Sequence, residues 1–237
     1  MASGRYSQFT VNSTAGVTLA AKWWNSDGTD TSKPVIIFIH QYAIMGGQGQ
    51  LMEGMARIAA KKGFESVTFD LRGAGRSTGR SSWMNSNELS DVEAMINYVE
   101  GATSKDIFLV GSSGGAPLAG AVLDKSHRII GGMFIGYVWG FWASILFGWA
   151  YASIKASSKP KLFIVGTKDE FTSMDQYRMR IAQLSGDVNI MKVIDGKNHF
   201  EIEGPVYDKT MLDYLDEFIS EKVVAKHNSC TSNNLVN

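Results

Sequence analysis

Short, strand-like runs alternate with stretches of helical periodicity along most of this chain, and that alternation restricts its fold more than any other feature. The runs are VIIFIH (35–40), SVTFDLR (66–72), DIFLVG (106–111), GGMFIGYV (131–138) and KLFIVGT (161–167), with NIMKVID (189–195) closing the series. The continuous apolar runs among them, VIIFIH and DIFLVG, suit strands covered on both faces. Between them, Leu51, Met55, Ile58 and Ala59 recur at helical spacing before Gly63. So do Leu89, Val92, Met95, Ile96 and Val99, and further helices are expected over 115–126, 173–185 and 206–225. Strand followed by helix followed by strand implies an α/β fold with a mostly parallel central sheet and helices on both faces. Residues 7–11 and 17–24 are expected as antiparallel edge strands. With no internal repeat and no long linker, residues 1–225 read as one domain, and 226–237 as a polar C-terminal tail.

Composition removes several classes of function. The 23 basic and 23 acidic side chains balance, which argues against a nucleic acid or an anionic membrane held by bulk electrostatics. A single cysteine, Cys230, excludes an intrachain disulfide and leaves no thiolate cluster for a metal, so neither metal nor cofactor is expected. The N-terminal MASGRYSQFTVNSTAG lacks the apolar segment of a secretory signal, and a cytoplasmic location is expected.

One segment tests the reading. Residues 129–154 carry no charge, long enough for a membrane-spanning helix by hydropathy. Glycines at 131, 132, 136, 140 and 148 interrupt it, and its first part is β-like, so it reads as a buried strand followed by an aromatic segment, without an integral membrane span.

In parallel sheets of this kind, ligands bind beyond the carboxyl ends of the strands. IFLVG runs directly into GSSGG, a G-x-S-x-G pattern centred on Ser113 with a helix following at once. That setting forces a sharp turn which lifts the hydroxyl clear of the sheet, and side chains at Gly111 and Gly115 would collide across it. Asp169 stands just past the strand KLFIVGT, and His199 in the loop before the final helix. Either alone reads as a loop carboxylate or a surface histidine. Their order after Ser113, each at the end of a later strand, fits a nucleophile, an orienting acid and a base.

Taken together, GSSGG, TKDEFTS and GKNHFEIEGP resemble the nucleophile, acid and base motifs of the α/β-hydrolase superfamily, and FDLRGAGRSTG resembles its structural loop after the strand holding Phe69 and Asp70. The resemblance spans residues 17–222 and is to the compact, esterase-like serine hydrolases without a large cap domain. In that loop Arg72 and the glycines are expected to anchor backbone turns.

The resemblance implies two-step acyl transfer by Ser113, His199 and Asp169, with an oxyanion held by the backbone N–H groups of Gly114 and Tyr42. Where the family has His-Gly after the first buried strand, this chain has His40-Gln41. His40 is expected to be structural; Gln41 either displaces the Tyr42 donor or offers its own amide to the site. Eight aromatic residues fall between Phe134 and Tyr151. Residues 138–158 are therefore expected to form a short aromatic lid, with Trp139, Phe141, Trp142 and Phe147 beside Gln41 in the substrate pocket. This favours a hydrophobic small-molecule ester or thioester. Two other readings stand beside it: a small-molecule receptor on the same fold, and a non-hydrolytic acyltransferase, lyase or cyclase. Oligomeric state is not legible.

Overall fold

A computed structural model of the chain describes residues 5–14, 16–28 and 32–223. Cys230 and the tail 226–237 lie outside the described residues. Eight strands form one sheet: β1 (Tyr6–Asn12), β2 (Thr18–Trp24), β3 (Val35–Ile39), β4 (Ser66–Phe69), β5 (Ile107–Ser112), β6 (Ile129–Ile135), β7 (Lys161–Gly166) and β8 (Asn189–Ile194). Their spatial order is β1-β2-β4-β3-β5-β6-β7-β8. The β1–β2 and β2–β4 pairings are antiparallel, and all others are parallel. The expected antiparallel edge hairpin and parallel body are both present.

The helices are α1 (Glu53–Lys61), α2 (Leu89–Ala102), α3 (Gly115–Ala121), α4 (Phe141–Phe147), α5 (Tyr151–Ala156), α6 (Met174–Ile181), α7 (His199–Ile202) and α8 (Asp208–Phe218). They divide the core in two. On one face α2, α3, α5 and α6 cover Val35, Ile37, Ile39, Leu109 and Phe163. On the other, α1 and α8 cover Ile36, Phe38, Phe108, Val110 and Leu162. Alternate residues of β3 go to opposite cores, as the two-residue strand period requires. Every residue of β3 and β5 is buried, which explains the uninterrupted apolar runs VIIFI and IFLVG. Burying each such side chain stabilises the fold by about 1.5–3 kcal/mol.

The helix marked by Leu51, Met55, Ile58 and Ala59 starts later than its sequence pattern suggests. Residues Gly49–Met52 form a 3-10 turn before α1, and the free N–H at its start, that of Gly49, donates to the Asp70 carboxylate at 2.8 Å. The uncharged segment 129–154 is β6 followed by two short helices, and among the described residues no helix is long and apolar enough to cross a membrane.

Arg72 anchors the loop after β4. Its Nε and Nη2 donate to the two oxygens of the fully buried Asp91 carboxylate at 2.9 and 2.7 Å. The same carboxylate accepts the backbone N–H of Arg72 at 2.9 Å, so a paired charge holds the loop turn shut.

Candidate active site

The parallel strands end side by side, with Ile39 opposite Gly111, Ser112 opposite Ile135 and Gly166 opposite Ile194. The loops that leave these ends bring together residues far apart in sequence. Ser113 follows β5 immediately and has φ +48°, a left-handed conformation that a serine adopts only under constraint. Its backbone N–H donates to Ile135 at 2.9 Å, and its carbonyl oxygen accepts from Ala116 at the start of α3. A Cβ on Gly111 would come within 2.5 Å of the Gly115 carbonyl oxygen, and one on Gly115 within 2.3 Å of the His40 carbonyl oxygen. The glycines of GSSGG are thus demanded by backbone packed against backbone.

Ser113 Oγ lies 2.9 Å from His199 Nε2, and His199 Nδ1 lies 2.7 Å from Asp169 Oδ2. The other oxygen of Asp169 accepts the backbone N–H groups of Phe171 and Thr172, both at 2.9 Å. His199 opens α7, whose start is closed by a capping box between Asn198 and Glu201. Its backbone N–H donates to the Glu170 carboxylate at 3.1 Å. The rings of Phe171 and Phe200 meet the imidazole edge-on at 4.6 and 5.6 Å between centroids. His199 is fully buried, while Ser113 keeps partial exposure. Burial alone would lower the His199 pKa. The hydrogen bond that His199 donates to Asp169 and the charges of Glu203, Asp169 and Glu170 outweigh it and hold the ring above its ordinary value.

Tyr42 and Gly114 are neighbours: a Cβ on Gly114 would sit 3.1 Å from the Tyr42 nitrogen. Among the described residues, neither backbone N–H donates a hydrogen bond within the chain. The carbonyl of Gly114 is held by Asn85 Nδ2 at 2.9 Å. Asn85 is buried at φ +52°. Sequence reasoning missed it, and nothing in SWMNSNE marks it out. Gln41 is half-buried, and its amide oxygen is covered without a partner among the described residues. His40 is fully buried and structural: Nδ1 meets the Gln41 carbonyl at 2.7 Å, and Nε2 accepts the Leu71 N–H at 2.9 Å.

The aromatic segment divides. Phe147 packs edge-on to Tyr42 at 5.4 Å, forming a small cluster with Val138 beside the Tyr42 loop. Trp139 turns the other way, into the core against Tyr137, Phe163 and Tyr177. The side chains of Phe141 and Trp142 lie outside the described residues. Trp149 donates from Nε1 to the Met84 carbonyl, tying the segment to the 80–88 loop. A cleft of about 330 Å³ elsewhere, between the edge hairpin and the start of α1, is lined by Gln8, Lys22, Glu53, Asp70 and Arg76 and contains none of these rings.

The sequence matches the family model for the alpha/beta hydrolase fold over residues 34–149. Curated protein sequences give no match. Among solved structures, an alpha-beta serine hydrolase homologue from Coxiella burnetii is 24% identical, with 87% of this chain and 95% of that one covered and a TM-score of 0.73. An α/β serine hydrolase without a lid from Xanthomonas campestris is 18% identical over 92% and 95% of the two chains, with a TM-score of 0.74. An esterase from Pyrococcus furiosus is 19% identical over 93% and 94%, with a TM-score of 0.71.

Proposed function

We propose that this chain, which has the α/β-hydrolase fold, is a serine hydrolase of esters or thioesters of hydrophobic small molecules. The observation that carries the reading is the unbroken series Ser113 Oγ, His199 Nε2, His199 Nδ1, Asp169 Oδ2, with separations of 2.9 and 2.7 Å. Histidine-to-serine distances in this range permit proton transfer as the serine attacks.

In the first step Ser113 Oγ bonds to the acyl carbon while its proton passes to His199 Nε2. Asp169 keeps Nδ1 protonated and stabilises the imidazolium. The carbonyl oxygen gains charge and accepts hydrogen bonds from the Tyr42 and Gly114 N–H groups. The C–O or C–S bond then breaks, and Nε2 returns its proton to the departing alkoxide or thiolate. Water repeats the sequence on the acyl-serine and releases the acid. Gln41 is assigned to the substrate side, where its unpartnered amide oxygen would accept a hydrogen bond that otherwise goes unmade.

Support for an apolar substrate comes from the surroundings of the site. Residues 40–52, 81–87 and 129–154 contain no Asp, Glu, Lys or Arg. They carry exposed Ile44, Met45, Trp83, Met84 and Ile145, with Phe200 exposed beside His199. A concentration of exposed apolar side chains marks a binding surface more often than chance. Hydrolysis of p-nitrophenyl esters from acetate to decanoate tests the reading. Turnover that rises with acyl length and disappears in Ser113→Ala is expected; a folded wild type without turnover on any member would count against it.

A further inference from the structure

The reaction scheme leaves one largely covered carboxylate beside the imidazole unused. Glu203 stands four residues after His199, just past the end of α7, with its side chain 9% exposed. One oxygen accepts the Ser112 hydroxyl at 2.5 Å. The other lies 4.0 Å from His199 Nε2, the same nitrogen that faces Ser113. Consecutive residues of one strand end therefore hold the two sides of this arrangement: Ser113 meets the imidazole, and Ser112 holds the carboxylate beside it.

Among the described residues, the charged groups that act on the ring are negative. Asp169 faces Nδ1 from the loop after β7, Glu170 takes the His199 backbone N–H from the same loop, and Glu203 approaches Nε2 from beyond α7. From α6, Tyr177 lies within the electrostatic reach of Asp169 and Glu203. Among the described residues no lysine or arginine pairs with Glu203, whose only ion-pair partner is His199. Burial pushes the Glu203 carboxyl above its ordinary range; His199 and the Ser112 hydroxyl pull it down, and Asp169 adds to the upward push.

We propose that Glu203 is a positioning residue for the reaction assigned to Ser113: a second counter-charge, held by Ser112, that stabilises the His199 imidazolium from the Nε2 side. The proposal rests on the serine-hydrolase reading. Asp169 neutralises the ring from Nδ1, but the proton leaving Ser113 arrives on Nε2. A carboxylate 4.0 Å from that atom acts where the new charge forms, in surroundings where burial weakens screening. Ser112 fixes it at a distance that leaves Nε2 free to meet Ser113.

The test is Glu203→Gln, which can still accept from Ser112 but carries no charge. The measurement is the pH profile of kcat/KM for p-nitrophenyl acetate. The expected result is an acid limb displaced to lower pH together with an alkaline plateau reduced roughly tenfold, the equivalent of one unit of lost differential interaction. Glu203→Asp, which restores a charge, should recover part of both. A wild-type limb in Glu203→Gln would overturn the proposal, whether the plateau falls or not, because a merely structural role lowers the plateau without moving the limb. Should Glu203→Gln fail to fold, Ser112→Ala carries the test: loss of the hydroxyl should move the limb in the same direction, and an unmoved limb would overturn the proposal. Fluorophosphonate labelling of wild-type Ser113 separates the two levels, since a labelled wild type with an unchanged variant profile defeats only the role of Glu203. A wild type that does not label defeats the nucleophile assignment and this proposal together.

Discussion

His40 Nε2 accepts the backbone N–H of Leu71 at 2.9 Å, joining the loop after β3 to the loop after β4 beneath the candidate site. Burial lowers the His40 pKa to about 4, against the smaller upward pull of the Gln41 carbonyl and Asp70. The folded state therefore keeps this ring neutral, whereas the unfolded chain protonates it near 6.5. Between those values the unfolded state binds more protons, so stability falls as pH falls, by about 3 kcal/mol across the window. Urea unfolding at several pH values should show this loss between pH 6.5 and 4. His40→Ala should be less stable at pH 7 and should flatten that part of the profile; a profile unchanged by the substitution would refute the assignment.

Ser113 at φ +48° stores strain of about 1–3 kcal/mol. Ser113→Ala and Ser113→Gly both lose the hydrogen bond to His199, but only glycine relaxes in the left-handed region. Chemical denaturation should find the glycine variant about 1 kcal/mol more stable than the alanine variant. The reverse order would mean that the turn is not strained.

Gly136 at φ +58° borders the imidazole, and a Cβ there would lie 2.8 Å from His199 Cε1 and 3.1 Å from Nδ1. Gly136→Ala should push the ring out of line with Ser113. A displacement on the order of 1 Å typically costs about a hundredfold in rate, so kcat should fall by that order in a protein that still folds. Wild-type kcat in this variant would show that the ring tolerates the shift.

Because Asp169, Glu203 and Glu170 hold the His199 pKa above its ordinary value, the base is protonated already at mildly acidic pH. Its neutral form is the one that accepts a proton from Ser113, so kcat/KM should fall as pH drops through a midpoint above 6.5. A profile flat from pH 7.5 to 5.5 would contradict a histidine base.

Much of this arrangement is legible in the sequence, for physical reasons. Strand positions follow from uninterrupted burial, as in VIIFI, and strand ends in a parallel sheet mark where Ser113, Asp169 and His199 must stand. Arg72 reads correctly as a loop anchor, although its partner Asp91 is nineteen residues away and invisible to spacing. Glu203 has a faint signal, since it follows His199 at the four-residue spacing that brings helical side chains together. Nothing local marks Asn85 or Gly136, whose roles arise from contact with Gly114 and His199 across the fold. The aromatic segment is only half legible: composition marks it as unusual, but the backbone turn after β6 decides that Trp139 enters the core while Phe147 reaches Tyr42.

Ser113 as a nucleophile activated by His199 is tested most directly by intact-mass analysis after reaction with a fluorophosphonate. The expected result is one adduct, mapped to Ser113 by peptide sequencing, absent in Ser113→Ala and formed at least a hundredfold more slowly in His199→Ala. A folded wild type that forms no adduct, or one that maps to another residue, would contradict it.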